Sequence, residues 1–177
     1  MELQLLDMIQ KLRTPFLDRV MVLLSAAGNA GIIWMALALV LLIIPRTRKC
    51  GIILSAALFT DLILCNGILK NLVRRVRPCD VQTAVKLLVA RPRDYSFPSG
   101  HTAAAFAAVM GLYLSGMRKL WKPALVLACL MGFSRMYLYV HYPTDILAGI
   151  LVGILSGYVG YRLAATVVKR AGRFVNL

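Results

Sequence analysis

Acidic residues are scarce in this 177-residue chain, which has seven Asp and Glu against 21 Lys and Arg and a formal net charge of +14. After Asp94 the sequence contains one further acidic side chain, Asp145. So basic a chain is a candidate for nucleic-acid binding, but its bases lie at the edges of apolar runs and show no interleaved aromatic residues. Anionic lipid headgroups are the simpler partner, and we expect no nucleic acid to bind.

Histidine and cysteine are also rare, with two histidines and four cysteines in the chain. The cysteines form no CxxC pair, which argues against a disulfide framework and against a zinc site. Two histidines and one aspartate are a partial ligand set for a metal ion, but the surrounding cations oppose one, so we expect no metal and no other cofactor. The cysteines are best interpreted as small buried apolar residues. They are Cys50, Cys65, Cys79 and Cys129.

Hydrophobic residues, in contrast, make up 60% of the chain, and the mean hydropathy is +0.75. These values are typical of membrane proteins rather than of soluble domains. Several apolar runs are shorter than the roughly 20 residues that span a bilayer, but flanking Lys and Arg side chains can extend toward the headgroups. The sequence predicts one all-α domain, an integral membrane bundle of five or six transmembrane helices. The apolar runs are residues 31–44, 50–69, 102–117, 123–134 and 146–161.

Whether the chain has five or six transmembrane helices depends on its N-terminal 30 residues. Apolar residues at helical spacing beside charged ones predict a short amphipathic helix that lies in the membrane interface. Thr14-Pro15 begins a second segment, residues 16–27, which ends at the glycine-containing break 28–31. The pattern does not decide whether this second segment spans the bilayer.

The order of helices and turns predicts that the polar residues meet at one membrane face. Lys70 ends one helix, His101 begins the next, Arg135 lies near the end of the following helix, and His141 begins the last, which extends to about Val168. Short basic turns at residues 46–49 and 117–122 share the opposite face with the basic C-terminus. The positive-inside rule assigns that basic face to the cytoplasm and the polar cluster to the extracytoplasmic side of a bacterial inner membrane.

Three polar clusters interrupt the apolar sequence, and their chemistry suits phosphate. Lys70 and Arg77 are seven residues apart and would share one helical face if the helix continued to Pro78. Arg135 would bring a third cation from another helix, and guanidinium groups bind phosphate in a bidentate manner. Pro98-Ser99-Gly100-His101 predicts a helix N-terminus with Ser99 as N-cap, where free N–H groups bind anions and Gly100 permits close approach.

The two histidines can divide the covalent chemistry of phosphate cleavage. One must be a neutral nucleophile that attacks phosphorus, and the other must protonate the departing oxygen. His141 has Asp145 one helical turn away, where the carboxylate can orient the ring and leave the other nitrogen free for attack. His101 has no carboxylate nearby in sequence, which suits the role of the acid.

The ordered set K-x6-RP, PSGH and SR-x5-H-x3-D resembles the three-part signature of the type 2 phosphatidic acid phosphatase and haloperoxidase superfamily. The resemblance implies a helical bundle with a metal-independent site at one end. It implies a phosphohistidine intermediate, with Lys70, Arg77, Ser99, Gly100 and Arg135 binding phosphate, His101 as acid, His141 as nucleophile and Asp145 as its partner. The haloperoxidases, which bind vanadate, are soluble and much larger.

The chain is more similar to short bacterial membrane phosphatases that act on undecaprenyl diphosphate, phosphatidylglycerophosphate or phosphatidate. The expected partner is thus a lipid phosphate that enters from the bilayer. A non-catalytic protein that binds or flips lipid phosphates is the alternative, but it would need the cations without the histidines and Asp145.

Several features stay outside the predicted site. Four arginines could contact solvent or lipid headgroups as readily as substrate; they are Arg74, Arg75, Arg91 and Arg93. Asp61 lies in an apolar run, where a carboxylate is costly, and no role is assigned to it. The stripe Gly149, Gly153 and Gly157 predicts close helix packing within the chain, with a dimer contact as the less favoured interpretation, and the oligomeric state stays open.

Overall fold

The structure, a computed structural model, describes residues 1–174 and the side chains of residues 1–166, and this part of the chain is helical without β-strands. The all-α prediction is therefore confirmed. The first four helices are α1 (Glu2–Gln10), α2 (Pro15–Ala27), α3 (Ile32–Ile43) and α4 (Arg48–Asp61). A π-helical segment (Leu62–Leu69) joins α4 to the one-turn helix α5 (Lys70–Val73). The other helices are α6 (Pro78–Val81), α7 (Gly100–Leu114), α8 (Arg118–Tyr137) and α9 (Pro143–Phe174).

Helix α1 has the amphipathic pattern expected from the sequence, and part of its apolar face packs against protein. Leu6 and Ile9 are buried in a cluster with Tyr137 and Leu138 at the end of α8. The Gln10 side-chain amide also donates a hydrogen bond of 2.8 Å to the carbonyl of Tyr137. Helix α1 is thereby fixed to the end of the bundle where α8 terminates.

Helices α2 and α3 are separated by a sharp bend. Helix α2 begins at Pro15, and the N-cap Thr14 hydroxyl accepts a hydrogen bond of 3.2 Å from the amide of Leu17. After α2 the backbone turns through Ala30 and Gly31, whose φ angles are 49° and 69°. The two helices are consequently bent by 48° relative to each other, and the intervening turn lies beside the start of α7.

The glycine stripe of α9 packs against α7, so the intrachain interpretation is confirmed. A Cβ atom at Gly149 would lie 2.9 Å from the Ser99 carbonyl oxygen, and one at Gly153 would lie 2.4 Å from that of Ala103. At Gly157 the added atom would meet the Met110 side chain at 2.5 Å. Only glycine permits this close approach, which places the first turns of α7 and α9 side by side.

Apolar side chains cover the outside of the bundle as well as its core. On α9, Leu147, Leu151 and Leu155 are 54–70% exposed, as expected for side chains that face lipid. Two stretches, Pro45–Val81 and Pro143–Thr166, are long and apolar enough to cross a membrane, and the bent pair α2–α3 would be a third. Helix α7 is apolar but has only 15 residues.

The ends of two helices differ from the sequence predictions. The basic turn predicted at residues 117–122 is too long, because α8 already begins at Arg118 and includes Pro123. Gly116, with φ +78°, allows the chain to reverse within about three residues. The last helix also continues beyond the predicted end near Val168, to Phe174.

Candidate active site

All three polar clusters meet at one end of the bundle, as the helix order predicts. An Arg77 guanidinium N–H donates to the Val140 carbonyl at 2.7 Å, which joins the first cluster to the third. The Ser99 amide donates to the Asp145 carbonyl at 3.1 Å, which joins the second to the third. A Cβ atom on Gly100 would lie 3.7 Å from Nζ of Lys70. Residues from all three clusters therefore form one pocket.

Lys70 and Arg77 converge on the carboxylate of Asp94. Nζ of Lys70 forms an ion pair with Oδ2 of Asp94, and Nη2 of Arg77 donates to Oδ1 at 2.7 Å. Burial opposes ionisation of Asp94, but the hydrogen bonds and charges of Lys70 and Arg77 outweigh it and hold the pKa of this carboxyl well below its usual range. The two cations thus already hold an anionic group.

The predicted helical face shared by Lys70 and Arg77 is wrong. Helix α5 ends at Val73, and Arg74 adopts a left-handed conformation with φ +49°, which turns the chain away from the helix axis. The chain is extended at Arg77, and α6 begins at Pro78. The two cations meet because the chain turns around the pocket, rather than because they are two helical turns apart.

His141 is buried, and its hydrogen bonds define its tautomer. Nη1 of Arg77 lies 3.1 Å from Nε2 of His141. A guanidinium group can only donate, so Nε2 must accept and the ring proton must be on Nδ1. Nδ1 is 3.5 Å from Oδ2 of Asp145, longer than a usual hydrogen bond, and has no closer partner among the described residues.

The surroundings of His141 favour the neutral ring. Burial lowers its pKa to about 3, with the charges of Arg77 and Arg135 acting in the same direction and Asp145 acting against them. The imidazole is therefore uncharged at neutral pH, with the Nε2 lone pair directed toward the Arg77 guanidinium. A nitrogen in that state can attack an electrophile held by the same cation.

His101 lies at the first turn of α7, beside the bend between α2 and α3. Its Nε2 is 2.9 Å from Oδ1 of Asn29. Because a carboxamide oxygen accepts hydrogen bonds, this contact requires a proton on Nε2. His101 therefore has its proton on Nε2 in this arrangement, and Asn29 was not identified from the sequence.

Ser99 is the N-cap of α7 by its backbone position, but its side chain makes no capping hydrogen bond. Its buried hydroxyl accepts a hydrogen bond of 3.0 Å from Oγ1 of Thr102. The backbone at Gly100 lies close to Asn66, since a Cβ atom there would be 3.0 Å from Oδ1 of that residue. The predicted helix N-terminus is present, with glycine where the backbone approaches Asn66.

Arg135 is nearly fully buried at the end of α8. Its Nη1 donates to the hydroxyl of Ser25, whereas its Nε has no hydrogen-bond partner among the described residues. A buried N–H without a partner is costly, and an anion in the pocket is the kind of group that would satisfy it.

In the polar connection between the first two motifs, three further residues that contact the predicted site were missed. Asp94 binds both cations, and Ser96 donates from its hydroxyl to Oδ2 of Asp145. Arg75, which the sequence left outside the site, donates from Nη1 to Oδ1 of Asp145 at 2.6 Å. The available signal was that these residues lie in the polar connection between the first two motifs. In the described part of the chain, no side-chain hydrogen bond or ion pair joins the predicted site residues to Arg74, Arg91 or Arg93.

A groove of about 670 Å³ leads from the pocket into the apolar part of the bundle. Its walls are mainly apolar side chains of α3, α4 and the π-helical segment, and it reaches the exposed side of those helices. The polar end contains Lys70, Asp94 and His101. Asp61 also faces this groove, and its buried Oδ1 has no hydrogen-bond partner in the described residues.

Comparison with known proteins agrees with this geometry. The family described as the PAP2 superfamily matches residues 48–169. The chain belongs to the PAP2 superfamily. An undecaprenyl-diphosphatase from Sulfolobus acidocaldarius is 33% identical over 150 residues, which are 85% of this chain and 72% of that protein.

Two solved structures share the fold. The crystal structure of Aquifex aeolicus LpxE has a TM-score of 0.78 and 29% identity and covers 91% of this chain and 94% of its own. A transmembrane PAP2-type phosphatidylglycerolphosphate phosphatase from Bacillus subtilis has a TM-score of 0.76 and 28% identity, covering 93% and 85%. The resemblance found in the sequence is confirmed: this is an integral membrane protein of the PAP2 lipid phosphatases, in the branch with undecaprenyl-diphosphatase and phosphatidylglycerophosphatase B.

Proposed function

We propose that this PAP2 chain hydrolyses the phosphate mono- or diphosphate ester of an anionic membrane lipid through a phosphohistidine intermediate. The observation that supports this most directly is the hydrogen bond from Arg77 to Nε2 of His141, 3.1 Å long. It directs the nucleophilic lone pair at the group that would hold the phosphate. Lys70, Arg77, Arg135, Ser99 and the Gly100 backbone bind the phosphate oxygens and stabilise the charge of the transition state.

In the first step Nε2 of His141 bonds to phosphorus as the bond to the leaving oxygen breaks, and His101, as the imidazolium protonated on both nitrogens, gives one proton to that oxygen. The imidazole becomes positively charged, and the Asp145 carboxylate beside Nδ1 stabilises it. In the second step His101 takes a proton from water, the water oxygen bonds to phosphorus, and the P–N bond breaks. Phosphate leaves, and both histidines return to their starting states.

The mechanism requires no metal ion. The phosphate charge is matched by side-chain cations, and no group of three or more His, Cys, Asp and Glu side chains within the described residues is arranged to hold a metal. We therefore expect activity in the presence of a chelator and inhibition by vanadate, which mimics the five-coordinate phosphorus.

The candidate substrates are undecaprenyl diphosphate, phosphatidylglycerophosphate and phosphatidate. The groove of about 670 Å³ supports a lipid substrate, because it connects Lys70 and His101 with the apolar outside of the helices. A lipid chain can lie along its apolar wall while the phosphate reaches Lys70 and Arg77. The relatives of this chain include an undecaprenyl-diphosphatase and a phosphatidylglycerophosphatase B, which supports the first two of these candidate substrates.

Of the five or six transmembrane helices expected, we propose five spans, formed by α3, α4 with its π-helical extension, α7, α8 and α9. Their alternating directions and the bend between α2 and α3 support this number. Helices α1 and α2 would lie at the active-site face of the bundle, with that face outside the cytoplasmic membrane.

The proposed activity is tested by phosphate release from purified protein in detergent, with each of the three lipids and with chelator present. Release from at least one lipid, blocked by vanadate, is the expected result. Loss of activity in chelator that one divalent ion restores would overturn the metal-independent mechanism.

The nucleophile is tested by His141→Ala. We expect turnover to fall more than about 100-fold while the protein still folds, because general acid–base assistance alone contributes roughly 10²–10⁴-fold. Rapid quenching in base after mixing with ³²P-labelled lipid should trap labelled wild-type protein and no labelled His141→Ala. A variant that keeps more than about a hundredth of the wild-type rate would contradict the assignment.

A further inference from the structure

The catalytic carboxylate is bound on its far side by a chain of charged residues that ends in helix α1. Oδ1 of Asp145 accepts from Nη1 of Arg75 at 2.6 Å, while Oδ2 faces His141 and accepts from the Tyr142 amide at 2.9 Å. Nη2 of Arg75 forms an ion pair of 2.5 Å with Glu2. Each end of the guanidinium therefore holds a different carboxylate.

Arg75 and Glu2 are themselves fixed by residues next to the site. The Arg75 guanidinium carbon lies 3.9 Å from the centre of the Tyr142 ring. Oε1 of Glu2 accepts from the Thr144 hydroxyl at 2.7 Å and from the Thr144 amide at 3.2 Å, which joins α1 to the first turn of α9. The ion pair between Arg75 and Asp145 is more than a surface contact, because the Arg75 side chain is 27% exposed and that of Asp145 is fully buried.

We propose that Arg75, held in place by Glu2, is a positioning residue for the nucleophile, so that helix α1 is part of the apparatus that activates His141. Arg75 fixes Asp145 with Oδ2 toward Nδ1 of His141. This inference rests on the proposed phosphohistidine mechanism, and it adds two residues that do not touch the phosphate.

The charges explain why both residues are needed. Arg75 stabilises the ionised form of Asp145, so that the carboxylate is available when the imidazole becomes positive. Without Glu2, the charge of Arg75 would be uncompensated and would offset part of the stabilisation that Asp145 gives. A lysine at position 75 keeps the charge but lacks the planar fork that holds two carboxylates at once.

The experiment compares Arg75→Gln, Arg75→Lys and Glu2→Gln with Arg13→Gln, in purified full-length protein with the best lipid of the panel. Arg13 is the matched control, because it also forms an arginine–carboxylate pair in the N-terminal region, with Asp18 at 3.2 Å. That pair does not contact Asp145.

We expect Arg75→Gln to lower kcat about 10- to 100-fold with little change in KM, the range seen when the hydrogen-bond partners of metal-ligating histidines are removed. Arg75→Lys should recover part of kcat, Glu2→Gln should lower it about twofold to fivefold, and Arg13→Gln should match the wild type. Unfolding temperatures measured alongside separate these effects from loss of fold, and Glu2→Gln preserves the test if Arg75→Gln does not fold.

The pH profile gives a second readout that a structural role would not move. The charged groups that act on His141 are Asp145, Arg77 and Arg135, with Arg75 behind Asp145. Removing the Arg75 cation favours the protonated ring, so the acid limb of kcat/KM should move to higher pH in Arg75→Gln and stay in place in Arg13→Gln.

Two results would overturn the inference. Equal kcat in Arg75→Gln and Arg13→Gln would show that Arg75 does not position the nucleophile. An increase of KM at constant kcat would show that Arg75 binds substrate directly. If instead His141→Ala stays active or the wild type releases no phosphate from any lipid, the proposed function itself fails.

Discussion

Asp94 is the residue whose contacts raise the clearest functional question. Its carboxylate forms ion pairs with Lys70 and Arg77, the two cations that the proposed mechanism assigns to the phosphate. About half of its side chain is exposed, so it can move away when a substrate arrives. An anionic side chain in an anion site competes with the ligand until it is displaced.

We therefore expect Asp94→Asn to bind vanadate and inorganic phosphate more tightly, with inhibition constants about twofold to tenfold lower, because displacing a half-exposed carboxylate costs only a modest free energy. Asp80→Asn is the control, since the Asp80 carboxylate pairs with Arg91 at 2.8 Å and forms no ion pair with Lys70 or Arg77. Weaker binding in Asp94→Asn would show that Asp94 holds the cations in position rather than competing for them.

The same variant gives a prediction for stability against pH. The pKa of Asp94 is lowered in the folded protein, so its ion pairs stabilise the fold above the unfolded pKa and lose this effect as the pH falls toward the folded value. The unfolding temperature of the wild type should exceed that of Asp94→Asn by a constant amount above about pH 5. That difference should shrink below about pH 4, near the pKa of a free aspartate.

At the scale of the helices, the starts of several elements were predictable because local chemistry fixes them. Thr14-Pro15 and Pro143 mark the first turns of α2 and α9, and Ser99 precedes α7. The end of α5 was not predictable, since Arg74 takes a left-handed conformation usually filled by glycine or asparagine. The π-helical segment Leu62–Leu69 was likewise not predicted, since the apolar run 50–69 reads as one continuous helix in the sequence.

The site, like the helices, has features that could be predicted from the sequence and features that could not. The motif residues and their common membrane face followed from the ordered motifs and the alternation of helices. The contacts of Arg75 with Glu2 and Asp145 join residues about 70 positions apart, as do those of Asn29 with His101. Such pairs depend on how the helices pack, and no local pattern announces them.

The close packing of α7 and α9 predicts a large effect of one methyl group. In Gly153→Ala the new Cβ would lie 2.4 Å from the Ala103 carbonyl oxygen and 2.8 Å from Cβ of Phe106. Separation of the helices should cost about 1–3 kcal/mol, more than the helix propensity gained from alanine. Activity should fall too, because α7 provides His101 and α9 provides Asp145.

Gly67→Ala is the matched control for this variant. Gly67 is exposed, and an added Cβ would have its nearest contact at 3.7 Å, an ordinary distance. Thermal unfolding in detergent should show a lower midpoint for Gly153→Ala and an unchanged or higher one for Gly67→Ala. Equal midpoints would mean that α9 can shift away from α7 without cost.

Over the whole molecule, the two ends of the bundle differ in whether their basic residues have carboxylate partners. The short connections at one end contain bases without acids, among them Arg46, Arg48 and Lys119. At the other end, four bases of the first motif and the polar connection after it have carboxylate partners: Lys70 and Arg77 pair with Asp94, Arg75 pairs with Asp145 and Glu2, and Arg91 pairs with Asp80. Basic residues that are paired with carboxylates say little about orientation. The positive-inside rule is therefore best applied to the basic residues at the opposite end.

This asymmetry predicts that the active-site end faces outward, and single cysteines on a cysteine-free background can test it. Thr83 lies in the connection at the active-site end, and Lys119 lies in the first turn of α8 at the opposite end; both are exposed. In intact cells a membrane-impermeant thiol reagent should label Thr83→Cys and leave Lys119→Cys unlabelled, whereas both should react after permeabilisation. Labelling of Lys119→Cys alone would reverse the orientation. The substrate would then be a lipid of the cytoplasmic leaflet, and recycling of undecaprenyl diphosphate at the outer face would no longer be compatible with the pocket's position.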